Sequence, residues 1–466
     1  MYDPLLLPEL REMLLESDTR AMKEFCEVLY PGVVAENLEA LTDDEVWQIL
    51  TQTDGKKQAE IFEFFDVTRQ KELVQHVDRE RLSVLIGHMA PDNRADLLET
   101  LDASQVDLLL PLLAQAERAD IRKLLAYPEH SAGSIMTTDY ASLPEGLTTG
   151  EALAQLRLQA PDKETIYYIY VVDEHRRLRG FLSLRKLILA RPDTPVEKIL
   201  ERDVISARVD EDQEEVARKI ARYDFIAMPV VDDQNRLVGI ITHDDVLDVV
   251  QEEATEDAYR MGGVAPMEEN YLEASFVQVW RKRAFWLSCL FVAELFTFTA
   301  LAHFEHAIDK IVVLSLFLPL CISTGGNSGS QAATLICRAL ALGQIQLRDW
   351  WRIIRHEFWM GIALGLTLGT IGYFRALATP ESILNPKVAV ATVEPAIYTS
   401  RWMLALVISQ SVAGICVWGT LVGSTLPLIF KRFGIDPGIA SSPFVATFVD
   451  VTGIIIYFTI ANIYLL

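Results

Sequence analysis

Paired thiols, a basic leader and a phosphate-cradling loop are all missing from this chain of 466 residues. Its five cysteines, Cys26, Cys289, Cys321, Cys337 and Cys416, form no CxxC pair, and four lie in apolar segments. Neither a disulfide framework nor a thiolate metal site is expected. Met1 to Leu10 carries Asp3 and Glu9 but no Lys or Arg ahead of its apolar residues, which argues against a secretory signal and for a front half that stays in the cytosol. No GxxxxGKS or GxxxxGKT run occurs, so P-loop hydrolysis of ATP is excluded. Basic residues are scarce in the front half. From Ala274 onward lie 13 of the 42 Lys and Arg and 9 of the 65 Asp and Glu, leaving 29 basic and 56 acidic residues ahead of it. Such a surplus of acid repels nucleic acid and anionic lipid and favours bound counter-cations.

What the back half has is apolar length. Five stretches follow Arg283: Ala284 to Phe304, Ile311 to Cys337, Phe358 to Phe374, Trp402 to Phe430, and Pro443 to Leu466. Each approaches or exceeds the ~20 residues that cross a hydrocarbon core, so five spans are expected. Arg281, Lys282 and Arg283 precede the first span; Arg338, Arg348, Arg352 and Arg355 fill the loop after the second; Lys431 and Arg432 follow the fourth. The alternate loops hold mainly Lys310, Arg375, Lys387 and Arg401. This bias places the acidic half in the cytosol and the C-terminus outside.

Two spans contain residues that a plain anchor does not need. The second carries Thr324-Gly325-Gly326-Asn327-Ser328-Gly329-Ser330-Gln331, a polar run that serves either a water-filled path or close helix packing. Pro319, Pro427 and Pro443 are each expected to free a backbone carbonyl. In the fifth span Ala446, Thr447, Asp450 and Gly453 share a helical face. Asp450 is an uncompensated carboxylate at membrane depth, and such a group marks an ion path by default. Carboxylate among carbonyl and hydroxyl oxygens suits a hard cation, and Mg²⁺ would keep most of its waters there. One Asp is little charge for a dication, so two copies placing their Asp450 side chains near a two-fold axis are expected. Glu294 either lines the same path or bonds a neighbouring helix. His303, Glu305, His306 and Asp309 either collect external cations or form an unliganded loop.

In the front half, Tyr170-Val171-Val172-Asp173 with Arg177-Leu178-Arg179-Gly180 is matched by Pro229-Val230-Val231-Asp232 with Arg236-Leu237-Val238-Gly239. This internal repeat of β-rich runs and helices resembles a CBS-domain pair. The second copy holds Gly239, Thr242 and Asp245 in a pattern that resembles the ribose-binding signature of nucleotide-binding CBS domains, although Thr242 serves equally well as a helix N-cap. The first copy has Lys186 where the second has Asp245. Ahead of the pair, residues up to about 132 read as short amphipathic helices broken at Pro91 and Pro128, with Asp92 and Asp96 one turn apart. Behind it, Gln251 to Arg260 as a helix sets Glu252 against Glu256 and Glu253 against Asp257, like-charge pairs that a divalent cation would relieve.

In this order, the features resemble the MgtE family of magnesium channels over nearly the whole chain. The pieces that carry the resemblance are Pro319 to Gln331, Glu253 to Asp257, and Asp436-Pro437 to Gly453. It implies a multidomain fold: an α-helical N-terminal domain (1–132), an α/β CBS-domain pair (133–195 and 196–250), a connecting plug helix (251–275) and a polytopic α-helical membrane domain with five spans (276–466). It implies transport rather than enzymatic catalysis, a homodimer in the plasma (inner) membrane, and Mg²⁺ as both substrate and regulator, with ATP bound at the CBS pair in some members. Asp450, Ala446 and Asn327 are the expected pore residues. Glu256, Asp257, Asp224 and Asp245 match regulatory Mg²⁺ positions, to which Asp212, Glu214, Asp92, Asp96, Glu252 and Glu253 are added. Ser442 departs from the Gly that many relatives have before the proline. The alternatives are a coupled transporter of broader divalent range, Co²⁺ or Mn²⁺ included, and a CBS-based membrane receptor that senses adenylate.

Overall fold

The computed structural model describes residues 6–75, 77–267, 271, 274–384 and 400–465; Lys387, counted above among the outer-loop cations, lies outside them. Two compact units divide the chain, Met1–Glu252 and Glu253–Leu466.

The first unit opens with ten α-helices between Leu6 and Leu124 among the described residues. Side chains that satisfy the free N–H groups of a first turn fix where they start. Asp54 accepts from Lys57 N at 2.8 Å, Asp78 from Arg81 N at 2.9 Å, and Glu45 reaches back to Thr42 N at 2.9 Å. Pro91 is the first residue of α1, Pro91–Glu99, where its missing N–H costs nothing. The break expected at Pro91 is thus also a helix start. In the core Trp47 stacks on Phe62 at 6.2 Å while its indole N–H donates to Leu73 O at 2.9 Å, so the polar end of a buried ring is satisfied.

The repeat read from the sequence folds as two small mixed sheets. Strands β1 (Tyr140–Pro144), β2 (Thr165–Val172) and β3 (Leu178–Ser183) pair in the order β1-β2-β3; β4 (Ala207–Arg208), β5 (Ala227–Val231) and β6 (Leu237–Thr242) pair as β4-β5-β6. In each, the first pair is parallel and the second antiparallel. The repeated Asp closes the β-turn. Asp173 Oδ1 accepts from His175 N and Arg177 N at 2.8 and 2.9 Å, and Asp232 Oδ1 accepts from Gln234 N and Arg236 N at 2.9 and 2.8 Å. The two turns then bond each other: Leu178 N donates to Asn235 O and Leu237 N to Arg176 O. Helices α2 (Thr149–Gln159), α3 (Leu184–Leu189) and α4 (Gln213–Tyr223) cover the sheets. The helix expected near Thr242 and the connector expected from Gln251 are one element, α5, His243–Met261. Ala95 of α1 joins the core that holds Val246 and Val249 of α5, which brings the N-terminal helices onto the second sheet copy.

The second unit is built on α6 (Phe276–His303), α7 (Val313–Ala341), α8 (Trp350–Leu377), α9 (Arg401–Arg432) and α10 (Ser442–Leu465). Four of these are long and apolar enough to cross a membrane; α7 has the length, 29 residues, but its polar run lowers its apolar content. Arg352 and Arg355, expected in a loop, lie on the first two turns of α8, because that helix starts well before its apolar stretch. Pro319 and Pro427 are inside helices as expected, whereas Pro443 sits in the first turn of α10 and interrupts nothing. Close packing rests on small residues. A Cβ at Gly419 or Gly423 of α9 would overlap Gly325 O or Gly329 O of α7, and Gly361, Gly365 and Gly369 of α8 abut Val417, Ala413 and Ser409 of α9. Tyr457 OH donates to Leu314 O at 2.8 Å and ties α10 to α7.

Candidate cation sites

In the membrane unit, Gly325 and Gly329 of the polar run lie against both α9 and α10, and Gly326 faces α10 alone. The run therefore packs helices closely through Gly325 and Gly329, and Gly326 leaves room beside Ala446 and the half-buried Asp450. Glu294 of α6 lies within electrostatic reach of Asp450. Asn327 projects from the exposed side of α7, where its amide donates to Ser323 Oγ at 3.4 Å. Ser323, Asn327 and Gln331 recur every four residues, forming an exposed polar stripe next to Gly326. Ser330 Oγ donates to Ser442 O at 3.1 Å, so the unusual serine supplies a backbone acceptor that holds α7 to the start of α10.

A second group of acids lies in the first unit. Asp92 and Asp96 of α1 lie within electrostatic reach of Asp245 of α5, and so does Glu164, just before β2. Surrounding protein, which strips hydration, is the largest influence on all four carboxyls, and mutual repulsion adds to it; only Asp92 is buried, Asp245 is half-buried, and Asp96 and Glu164 remain exposed to solvent. Asp96 is pushed up to about 7, with Glu99, Asp245 and Glu252 acting in the same direction. Glu164, although exposed, is also pushed up to about 7, by loss of hydration beside the neighbouring chain and by Asp245 and Asp244. Asp245 rises to about 6 despite the hydrogen bond it accepts from Thr242 Oγ1 at 2.5 Å, and Asp92 is held well above the usual carboxylate range. Asp92 Oδ1 is buried with no hydrogen-bond partner among the described residues. An orphaned buried oxygen within electrostatic reach of other acids is an unfavourable arrangement that a counter-charge would relieve, although these carboxylates do not enclose an ion among the described residues.

The remaining candidates are placed separately. Asp224 caps α4 in the left-handed region, at φ 53°, and is exposed. Asp212 is the N-cap of the same helix, accepting from Glu214 N at 2.9 Å, and Glu214 pairs with Arg218 at 2.5 Å. Glu252, Glu253, Glu256 and Asp257 all lie on α5, and Glu256 is ion-paired with Arg260, which also pairs with Asp436 ahead of α10. Thr242 and Asp245 form a helix-start pair, with Thr242 N donating to Asp245 Oδ2 at 3.3 Å; Gly239 has Met136 and Thr137 O against it, leaving no space for a side chain. Among the described residues no three His, Cys, Asp or Glu side chains enclose a metal ion, the outer His303 to Asp309 group included. Sequence reasoning missed Glu164, for which there is no local signal. It also missed the small-residue spacing of Gly419/Gly423 and Gly361/Gly365/Gly369, which was legible.

Apolar helices around a carboxylate, joined to a paired α/β module with an acidic face, define a polytopic membrane transport protein with a regulatory region. Residues 318–460 match the MgtE divalent cation transporter family, residues 29–130 the MgtE intracellular N domain, and residues 132–193 and 196–252 the CBS domain. The magnesium transporter MgtE of Thermus thermophilus is 39% identical over 463 residues, 99% of this chain and 98% of that protein. That of Bacillus subtilis is 32% identical, over 86% of this chain and 84% of that one. The crystal structure of the cytosolic domain of the Mg²⁺ channel MgtE in complex with ATP aligns with a TM-score of 0.50 at 42% identity, covering 52% of this chain and all of that one. The chain belongs to the MgtE family of magnesium transporters, which are not enzymes.

Proposed function

We propose that this chain is a Mg²⁺ channel or transporter that works as a homodimer, takes up Mg²⁺ past Asp450, and is closed by cytosolic Mg²⁺ bound to its acidic region. The observation that carries the proposal is the space at Gly326, where an added methyl group would stand 3.4 Å from Ala446 and 3.5 Å from Asp450, beside the exposed stripe Ser323, Asn327 and Gln331. Polar side chains and a carboxylate at membrane depth are stable only against protein or water, so a second copy or an aqueous path covers them. Two Asp450 carboxylates on a two-fold axis neutralise a dication, and a hydrated Mg²⁺ needs oxygens at outer-shell distance rather than a tight cage. The Ala446 backbone and Asn327 are the nearby oxygen donors. Entry down the membrane potential is worth about 4.6 kcal/mol for a double charge at 100 mV.

Regulation follows from differential affinity. Asp92, Asp96, Glu164 and Asp245 repel one another when ionised, and a divalent cation removes that repulsion and favours the packed arrangement. Asp257, Glu252, Glu253 and Asp224 add acid to the regulatory set. Glu256 must exchange its Arg260 partner to bind a cation, and Asp212 and Glu214 already serve α4 as cap and ion pair. Adenine nucleotide at Gly239, Thr242 and Asp245 is supported by the ATP-bound relative. The protein lies in the plasma membrane with the C-terminus outside. Mg²⁺ flux into liposomes holding the full chain tests the pore: Asp450→Asn is expected to abolish it, unchanged flux through that variant would take Asp450 out of the ion path, and no flux through the unaltered chain would favour the adenylate-sensing receptor. Competition by Co²⁺ and Mn²⁺ in the same liposomes separates the narrow from the broad divalent reading.

A further inference from the structure

The turn between α7 and α8 holds a cavity of about 610 Å³ that the ion path does not use. Its wall is formed by Ile336 of α7, Ile345 of the turn, and Arg352, Arg355, His356 and Trp359 of α8. The four α8 residues recur at helical spacing and share one face. Arg352 and Arg355 are exposed, and among the described residues neither takes part in an ion pair; nor do Arg338 and Arg348 nearby. Two acids also belong to the wall, but Asp349 accepts from Gln346 N at 3.0 Å as a cap, and Glu357 is turned inward with 8% exposure. The open rim is cationic.

Depth decides what a cationic rim meets. The apolar part of α8 starts at Phe358, so Arg355 and Arg352 stand ~4.5 and ~9 Å before it along the helix. The headgroup layer adds roughly 5–8 Å on each side of the hydrocarbon, so Arg355 starts at its inner boundary and Arg352 at its outer edge, from which a long side chain reaches a phosphate. Trp350, Trp351 and Trp359 are 53%, 63% and 64% exposed and form the indole belt found at that boundary. Ile336 and Ile345 give the cavity an apolar wall beside the guanidinium groups.

We propose that this cavity seats the headgroup of an anionic phospholipid, with Arg352 and Arg355 on the phosphate and Ile336 and Trp359 against the glycerol and first methylenes. Arginine suits a planar, bidentate grip on phosphate oxygens. The site lies on the same side of the membrane as the N domain if α6 and α7 both cross, and there the leaflet is rich in anionic lipid.

The test uses the purified full chain incubated with vesicles of phosphatidylglycerol or of phosphatidylcholine, with retained lipid counted by native mass spectrometry. Phosphatidylglycerol is expected to be retained and phosphatidylcholine not. The double variant Arg352→Gln, Arg355→Gln is expected to retain it on the order of thirtyfold more weakly, as for two cationic contacts at a membrane surface. Lys310→Gln, outside the cavity, should behave as the unaltered chain. Equal retention of the two lipids by the unaltered chain overturns the site, whether or not the double variant folds. Undiminished retention by a folded double variant overturns it too, and so does full displacement of phosphatidylglycerol by millimolar inorganic phosphate, which would make it a site for a free anion.

Discussion

Gly326 stands against Asp450: a methyl group at position 326 would lie 3.5 Å from Asp450 Oδ1 and 3.4 Å from Ala446 Cβ. Those are ordinary contact distances, so Gly326→Ala should fold. A larger group has to cover the carboxylate. Gly326→Leu is expected to leave the purified protein intact by size-exclusion chromatography yet lower Mg²⁺ flux into liposomes by about tenfold or more, the rate equivalent of ~1.4 kcal/mol in the barrier. Full flux through the leucine variant would remove Gly326 from the ion path.

The glycines of α9 allow a sharper contrast. A Cβ at Gly423 would overlap Gly329 O, whereas one at Gly414 would meet only Ile456 and Ile460, at 3.7 and 3.8 Å. Gly423→Ala must push α7 and α9 apart, at a cost of about 1–3 kcal/mol for overpacking. Gly414→Ala should change stability by less than about 1 kcal/mol and in the stabilising direction, since alanine is the better helix former. Thermal unfolding of the two variants in the same detergent orders them; equal melting points would mean that the α7–α9 contact is not tight.

How much of this was legible follows from range. The turn residues Asp173 and Asp232, the caps and the apolar stretches are local, and each can be read from a few neighbouring positions. Asp450 was legible because an acid on an apolar helix with no basic residue nearby is costly wherever the helix packs. The start of α8 was not, because hydropathy detects the apolar part of a helix and ignores the charged turns from Trp350 to Glu357. Which glycine of the polar run faces Asp450 depends on the rotation of α7, set by Gly419 and Gly423 on another helix. The meeting of Asp92 with Asp245 and Glu164 depends on how α1 packs over the second sheet copy, and no spacing in the chain encodes it.

Arg260 joins Glu256, one turn earlier on α5, to Asp436 at the entry to α10. The three side chains are roughly a quarter to a third exposed, so each pair is worth at most about 1 kcal/mol. Both acids act through one guanidinium, and their removal is therefore not additive. In thermal unfolding without Mg²⁺, Arg260→Gln combined with Asp436→Asn should cost less than the two single changes together, by about 0.5 kcal/mol. Strict additivity would show that the Arg260–Asp436 pair contributes nothing in solution.

Protons and Mg²⁺ compete for the acid cluster of the first unit. Asp96 and Glu164 stand at about 7 and Asp245 at about 6, against 3.8 for a free Asp and 4.5 for a free Glu, and Asp92 is held up as well. These groups therefore keep protons in the packed arrangement that they lose once separated, so packing is most stable at low pH and weakens as pH rises from about 4 to about 7. Mg²⁺ replaces the departing protons, and its apparent affinity should rise by about tenfold or more between pH 6 and pH 8. Limited proteolysis of the full chain reads both effects. With a chelator present, the first unit should be better protected at pH 6 than at pH 8, and Mg²⁺ should restore protection mainly at pH 8. Protection that is independent of pH in the chelator would mean that the four carboxyls do not repel one another in the packed state, and would remove the physical basis of the proposed sensor.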